Sequence, residues 1–266
     1  MRYMRRRALA LIALLGMVVL AGCSGGATTT EAVDGSQAQS DTLAAMDGVE
    51  SYHVTTNTTI VQSANNRTQR QAIDSLGAFD RADQRMQINQ TVSVSGMTQR
   101  ASVYFLNGSI YEYNPAYASQ YGSEWVTAEV NDTFLDQQDT LARQRAFLAN
   151  ASVTMAGTET IDGTETRVLE ADVDEEATSE AIMARLGSGS GVEYDVTNVD
   201  QRLWVDPETD RPARTTVSIN ATVTQAGQTV DLTMDIELAF EYNRTVTVSL
   251  PESADSAISL DNETAA

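Results

Sequence analysis

The sequence predicts an α+β fold, in which one large antiparallel sheet is covered on its apolar face by two or three helices. Apolar and polar residues alternate with a period of two over residues 215–224 and 229–240, which is typical of half-buried strands. Asn107-Gly108 and Asp162-Gly163 are strong signals for two-residue hairpin turns. A sheet with one apolar face must bury that face against other elements, such as helices. We therefore expect one domain with roughly nine to eleven short strands.

The C-terminal half contains the clearest predicted strands. Those over residues 215–224 and 229–240 are joined by Gln225–Gln228, which we interpret as a four-residue hairpin loop. Residues 246–250 continue the alternation and predict one more strand, which Pro251 would end.

Three segments carry a helical pattern. Residues 132–150 place apolar side chains at heptad spacing, and Asp174 is a candidate N-cap for a helix over residues 174–186. A short third helix is expected over residues 40–47.

The N-terminus carries an export signal. Four arginines precede an apolar run over residues 8–20, which is shorter than a helix that spans a bilayer. The run ends in Leu-Ala-Gly-Cys at residues 20–23. This ending resembles the lipobox of prokaryotic lipoproteins, and the resemblance implies that Cys23 becomes the lipidated first residue. A plain cleaved signal is the alternative, and the arginines are compatible with Sec or twin-arginine export.

This signal sets the expected domain boundaries. Residues 1–22 are the signal peptide, residues 23–40 a flexible tether rich in small polar residues, residues 41–255 the folded domain and residues 256–266 an acidic tail. The lipid on Cys23 would hold the domain on the extracellular face of the cell membrane, and we expect a monomer.

The composition excludes several chemistries. All 17 basic residues are arginine, and the chain has one histidine and one cysteine. It therefore has no lysine for a Schiff base and cannot form an internal disulfide or a thiolate metal cluster. His53 falls on the polar side of a predicted strand over residues 52–61, which favours a surface residue over a catalytic one. We expect no enzymatic activity, no cofactor and no metal site.

Acidic residues dominate the charge. The net charge is −20, and it becomes −24 without residues 1–22, because the remaining chain has 13 arginines and 37 acidic residues. Such a charge does not favour nucleic acids or anionic membrane surfaces. The acidic run over residues 172–176 lacks an EF-hand loop and is better explained as a solvated helix start. Residues 206–212 predict an acid-bearing turn, and no spacing selects a pair of catalytic carboxylates.

Glycosylation signals exceed the number expected by chance. Nine of the twelve asparagines begin an Asn-x-Ser/Thr sequon. The candidates are Asn57, Asn66, Asn89, Asn107, Asn131, Asn150, Asn220, Asn243 and Asn262. Thr-rich strands with asparagine on a solvated face explain part of this excess, and we favour a glycosylated surface protein. The sequons, the acid excess and the absence of lysine together resemble haloarchaeal surface proteins.

An aromatic cluster lies in the middle of the chain. Most of it is expected to pack in the core or at strand edges, with some members at an apolar cavity or its mouth. Its members are Tyr104, Phe105, Tyr111, Tyr113, Tyr117, Tyr121 and Trp125.

Several short stretches form an ordered series along most of the chain. They are Gly48–Tyr52, Val103–Gly108 with Tyr111–Tyr113 and Glu124–Val126, Leu203–Thr209 with Arg211–Arg214, and Phe240–Asn243 with Val246–Val248 and Pro251. Together these stretches resemble LolA-like lipoprotein carriers and LppX/LprG-type lipoproteins. The resemblance implies a strongly curved antiparallel half-barrel that is closed by helices and holds acyl or isoprenoid chains in an apolar cavity. It transfers no catalytic residue, and it does not name the ligand-binding positions.

Two functions remain open at this point. The first is a membrane-anchored lipoprotein that binds or carries a lipid or a lipidated partner without chemical change. The alternative is a glycosylated cell-surface structural or interaction module whose core is filled by its own side chains. The presence of an internal cavity separates them.

The charge makes a prediction about salt. At molar salt the Debye length falls to about 3 Å, so the acidic residues repel one another little, whereas in dilute buffer their repulsion destabilises the fold. We expect the chain to unfold when salt is dialysed away, as followed by circular dichroism. An unchanged spectrum in low salt would contradict this expectation.

Overall fold

A computed structural model describes residues 34–65, 67–131, 133–176, 178–179, 192–225 and 227–261. The α-helices are α1 (Gly35–Asp47), α2 (Tyr117–Tyr121), α3 (Phe134–Gln138) and α4 (Thr140–Ala149), and a 3-10 helix spans Glu252–Ser256. The strands are β1 (Ser51–Ala64), β2 (Arg67–Asp80), β3 (Arg85–Val94), β4 (Met97–Leu106), β5 (Ser109–Tyr113), β6 (Trp125–Glu129), β7 (Ala151–Ile161), β8 (Thr164–Val173), β9 (Val192–Val205), β10 (Pro212–Gln225), β11 (Gln228–Glu241) and β12 (Ile258–Ser259).

All described strands belong to one curved, unclosed sheet in the order β12-β6-β5-β4-β3-β2-β1-β11-β10-β9-β8-β7. Every neighbouring pair is antiparallel except β12 with β6, which is parallel. The predicted α+β class with a curved antiparallel sheet is confirmed. The sheet has twelve strands, more than expected, because the pairing continues through short strands such as β5 and β12.

Tight hairpins set the register of the sheet. Asn107 and Gly108 have φ angles of 55° and 77°, and Asp162 and Gly163 have 51° and 87°, so both predicted hairpin turns are confirmed. The loop between β10 and β11 is shorter than predicted. Gln225 and Gln228 are already paired strand residues, which leaves two residues for the turn.

The two ends of the sheet differ in burial. We call the end at which β1–β2, β3–β4 and β10–β11 turn the distal end, and the opposite end the proximal end. Along the inner face of β1, Tyr52 and Val54 are buried, Thr56, Thr58 and Ile60 are partly exposed, and residue 62 is exposed. The inner faces of β4 and β11 show the same gradient. The described helices therefore close the proximal end and leave the distal end open.

The proximal core lies between the sheet and helices α1, α3 and α4. Met46 of α1, Leu135 of α3, and Leu141 and Leu148 of α4 are almost fully buried against it. The Gln39 Nε2 atom of α1 donates to the carbonyl oxygens of Leu148 and Ala151 at 2.6 and 3.0 Å, which ties α1 to the end of α4. The single helix predicted over residues 132–150 is two helices, because the chain is extended at Asp139.

A second cluster lies on the outer face of the sheet. Residues 246–257 cross β4, β5 and β6 there, and Val248 and Ala254 pack with Tyr104 and Trp125. The prediction of a strand at residues 246–250 is wrong. β11 already pairs with β1 on one side and β10 on the other, so residues 246–250 cannot form a hairpin with it, and their alternating apolar residues pack on a sheet face instead.

Two predicted boundaries also change. α1 begins at Gly35, so the folded domain starts before residue 41 and takes the last part of the expected tether. At the other end, β12 pairs with β6, so residues 258–259 belong to the sheet and not to an acidic tail. The signal peptide, Cys23, and most of the helix predicted from Asp174 lie outside the described residues.

A buried carboxylate links four elements at the proximal end. Asp139 is 2 % exposed and caps α4 by accepting the Ala142 backbone N–H at 2.8 Å. Its Oδ1 atom also accepts the Tyr52 hydroxyl of β1 at 2.8 Å, and its Oδ2 atom is paired with Arg81 Nε at 2.9 Å. Arg81 also donates to the carbonyl oxygens of Met46, in the last turn of α1, and of Val49, just after it. Burial, followed by the nearby Asp139 charge, raises the pKa of Tyr52 well above its usual value.

This network predicts a stability difference between two aspartates. Asp139→Ala removes the helix cap and leaves the Arg81 guanidinium without its carboxylate, so we expect a loss of about 3 kcal/mol in the free energy of unfolding. Asp136→Ala, on the exposed side of α3, should cost less than about 0.5 kcal/mol. Denaturant unfolding at constant salt measures both, and equal losses would contradict the assigned role of Asp139.

Candidate ligand-binding cavity

A cavity of about 420 Å³ lies between the inner face of the sheet and α4. Strands β3, β2, β1, β11 and β10 form its wall, and residues 140–147 form its roof. The wall side chains are mostly aliphatic, with hydroxyl and amide groups between them. They come from Val54, Thr56, Thr58, Ile60, Ile73, Ser75, Gly77, Phe79, Ile88, Gln90, Val217, Ile219, Met234, Ile236 and Leu238.

The register explains why these residues meet. Thr56 of β1 pairs with Ser75 of β2 and Leu238 of β11, and Thr58 pairs with Ile73 and Ile236. Residues directly opposite one another point to the same face of a sheet. Two cross-strand rows thus build the middle of the wall, and the curvature of the sheet places them under α4.

The proximal end of the cavity is tightly packed. Phe79 stacks on Tyr52 with ring centroids 4.8 Å apart and planes 9° apart. A Cβ atom on Gly77 would lie 2.8 Å from Phe79 and 2.9 Å from Val54, so glycine allows these side chains to approach the strand. The distal side of the cavity is lined by Ile60, Ile73 and Met234, which are partly exposed.

Polar groups of α4 complete the roof. The Arg143 guanidinium donates to the Thr140 hydroxyl at 3.2 Å. The buried Gln144 side chain accepts a hydrogen bond from Gln201 Nε2 at 2.9 Å, which joins α4 to β9. None of the described residues that line the cavity is acidic, although about one residue in seven of the chain is Asp or Glu. A mostly apolar pocket with a few polar groups is the usual form of a small-molecule binding site.

The predicted aromatic cluster does not form this site. Tyr104, Trp125 and Tyr113 pack on the outer face, under residues 246–257, whereas Phe105 enters the proximal core. Neighbouring residues of a strand point to opposite faces, which separates Tyr104 from Phe105. The aromatic residues at the cavity are Phe79 and Phe147, which the sequence analysis did not single out as cavity residues. The alternation at residues 54–60, which places valine, threonine and isoleucine on one side of β1, was the sequence signal that could have predicted this cavity wall.

The other predicted residues lie on the surface. His53 is on the outer side of β1, with Nε2 3.4 Å from the Thr245 carbonyl oxygen. Among the sequon asparagines in the described part of the chain, Asn57, Asn107, Asn131, Asn150 and Asn243 are exposed, and Asn89 and Asn220 are partly exposed. Asn66 and Asn262 fall outside the described residues.

The acidic segments form a turn, outer strand positions and the start of a helix, where Glu175 and Glu176 are helical and exposed as predicted. Asp206 accepts the backbone N–H groups of Glu208 and Thr209, which confirms the predicted turn between β9 and β10. Asp172 lies opposite Asp200 on the outer face. Across the described ranges, no group of three or more His, Cys, Asp or Glu side chains is arranged to hold a metal ion. None of the described helices is long and apolar enough to cross a membrane.

The solved structures similar to this chain have low sequence identity to it. LprF from Mycobacterium bovis is 15% identical, with 82% of this chain and 95% of that chain covered at a TM-score of 0.48. The lipoprotein LppX from Mycobacterium tuberculosis is 12% identical, with 80% and 96% covered at a TM-score of 0.44. A putative outer membrane lipoprotein-sorting protein domain from Vibrio parahaemolyticus is 10% identical, with 78% and 92% covered at a TM-score of 0.26.

No curated protein matches this chain. A family model, described as a family of unknown function, matches residues 7–257, which is nearly the whole chain. The chain therefore belongs to the DUF7537 family.

Proposed function

We propose that this protein is a membrane-anchored extracytoplasmic lipoprotein that binds or carries a hydrophobic ligand, a lipid or a lipidated partner, without catalysis. The observation that carries the proposal is the acid-free cavity of about 420 Å³ between the sheet and α4. Its volume falls within the roughly 300–1,000 Å³ of small-molecule sites. Burial of an apolar chain against its aliphatic wall would contribute about 25 cal/mol per Å² of area removed from water.

The cavity also supports this function over a filled structural module. In such a module the inner face of the sheet would be buried along its whole length. Here Leu141 and Leu148 fill the proximal half, whereas Thr58, Ile60 and Met234 remain partly exposed on the distal side. An aliphatic surface beside a buried core, with access from one end, favours reversible binding of a chain-like ligand.

The anchor is the second part of the proposal. The Leu-Ala-Gly-Cys ending of the apolar run supports lipidation of Cys23, and the polar residues that follow would hold the domain off the membrane. The acid excess, the absence of lysine and the nine sequons support a glycosylated protein on the surface of a salt-adapted, archaeal cell.

Filling the cavity tests the binding function. Thr56→Trp places an indole on the inner face, where it would occupy the cavity, whereas Thr55→Trp adds the same side chain to the exposed outer face of the same strand. We expect the chain purified from its own membranes to carry a bound lipid in native mass spectrometry, and Thr56→Trp to reduce its occupancy at least about tenfold.

The control variant and the wild-type chain show which results would contradict the binding proposal. Thr55→Trp should keep the wild-type occupancy, since it leaves the inner face unchanged. A ligand-free wild-type chain after gentle extraction would favour the filled structural module. Equal occupancy in both variants would place the ligand outside this cavity.

Replacement of the single cysteine tests the anchor. Cys23→Ser removes the thiol that would carry the lipid, so we expect the protein to move from the membrane fraction to the medium or to remain unprocessed. Cell fractionation with immunoblotting, together with the mass of the N-terminal peptide, measures this change. An unmodified Cys23 in the wild-type protein would contradict lipidation.

A further inference from the structure

We propose that the cavity beneath α4 takes a single-chain amphiphile with an anionic head group, and that Arg143 holds this head group. The inference rests on the proposed function, because it names the chemical class of the ligand for that cavity. The apolar chain would lie along the aliphatic wall, and the head group would contact the polar side of α4. A volume of about 420 Å³, near the lower end of the range for small-molecule sites, favours one chain over two.

The charge of the cavity lining is the first observation. Arg143 is the one charged side chain among the described residues that line the cavity. Its Nη2 atom donates to the Thr140 hydroxyl at 3.2 Å, and Thr140 is itself part of the roof. The two residues are three positions apart on α4 and therefore lie on the same face of the helix. Their hydrogen bond keeps the guanidinium beside the cavity.

The acidic residues of the sheet lie away from the cavity. Strands β2, β9 and β11 carry two, three and four of them, and the register places all of these on the outer face, where they alternate with the wall residues or pair with outer residues of β10. They are Asp74, Asp80, Glu193, Asp195, Asp200, Asp231, Asp235, Glu237 and Glu241. Strands β1, β3, β4 and β10 contain no acidic residue. Among the described residues of these seven strands, Arg67 is therefore the only charged one on the inner face, and its charge is positive.

Burial alone does not explain this distribution. Glutamines occupy inner-face positions of β1 to β4 that are partly or fully exposed, and they are Gln62, Gln69, Gln71, Gln90 and Gln99. Glutamate has nearly the same shape as glutamine and is common at exposed positions. It would repel a bound anion, whereas the neutral amide does not. In a chain with 37 acidic residues, this choice indicates a face that accommodates negative charge from a ligand.

The charged groups next to Arg143 have other partners. Arg145, two positions further along α4, pairs with Asp47 of α1 at 2.6 Å and does not line the cavity. The buried carboxylate of Asp139, which precedes α4, is paired with Arg81 at 2.9 Å. The two arginines of α4 thus differ in role, since Arg145 joins two helices and Arg143 lies at the cavity.

An anionic head group on an apolar chain matches this lining better than a free anion. A guanidinium forms charge-assisted, bidentate hydrogen bonds with phosphate, and salt screens such a partly buried contact much less than an exposed one. A free anion would contact the guanidinium alone, because the rest of the wall is mostly aliphatic. An attached chain also removes this aliphatic area from water.

Equilibrium dialysis of two radiolabelled probes tests the head-group assignment. Myristoyl glycerol phosphate and myristoyl glycerol share the chain and the glycerol and differ only in the phosphate. The chain purified from its own membranes is freed of bound lipid on a hydrophobic exchange resin and kept in a neutral detergent, at a salt concentration at which circular dichroism shows a folded protein. We expect the phosphate probe to bind at least about tenfold more tightly, the factor that a hydrogen bond to a charged group contributes.

Variants of α4 show whether Arg143 causes this preference. Arg143→Gln should reduce it to less than about threefold without weakening the neutral probe, and Arg143→Lys should restore most of it, because the positive charge returns. Arg145→Gln makes the same change in net charge on the same helix, outside the cavity, and should keep the wild-type preference.

Variants of β3 test the exclusion of negative charge from the cavity. Gln90→Glu places a carboxylate in the lining and should lower the preference for the phosphate probe at least about threefold. Gln87→Glu adds the same charge to the outer face of the same strand and should leave the preference unchanged. Equal effects of the two variants would contradict a head group in the cavity.

The outcomes separate this inference from the proposed function. Equal binding of both probes, or an unchanged preference in Arg143→Gln, would overturn the anionic head group and leave the cavity as a site for uncharged chains. Glycerol phosphate that competes as well as the probe with a chain would assign Arg143 to a small anion instead. Thr56→Trp should weaken both probes. If it weakens neither, or if a folded wild-type chain binds neither, the proposed function fails as well.

Discussion

The buried carboxylate of Asp139 is the constraint on which the closed end of the structure depends. It caps α4, accepts the Tyr52 hydroxyl and pairs with Arg81, which in turn donates to carbonyl oxygens at the C-terminal end of α1 and just after it. Desolvation of a charge is costly, and several directed donors are needed to offset it. Because those donors come from different elements, the helices are fixed over the first residues of β1 and cannot slide along the sheet.

The position of the helices gives the sheet two different ends. Tyr52, Phe79 and Leu238 are buried beneath them, and the same strands leave Thr58, Ile60 and Met234 partly exposed further along. The cavity lies at this transition, because the sheet continues beyond the helical cover that the described residues provide. Closure at one end and access at the other are consequences of one packing arrangement.

The charge has both a global and a local meaning. A net charge of −20 disfavours anionic partners on average. The cavity lining departs from that average, because none of its described residues is acidic. Since interactions between exposed charges are screened beyond roughly one Debye length, the local arrangement of charges decides what each surface can bind.

The sequence by itself determined the class of the fold, since alternation and Asn-Gly or Asp-Gly turns act between neighbouring residues. The tertiary structure decided what covers the sheet. Residues 246–250 alternate like a strand, yet both edges of β11 are occupied and they pack on the outer face. Tyr104 and Phe105 are adjacent in sequence, yet Tyr104 packs in the cluster on the outer face and Phe105 packs in the proximal core. The cavity depends on where α4 stops over the strands, a relation between residues about 90 positions apart, such as Tyr52 and Leu141, that no local pattern contains.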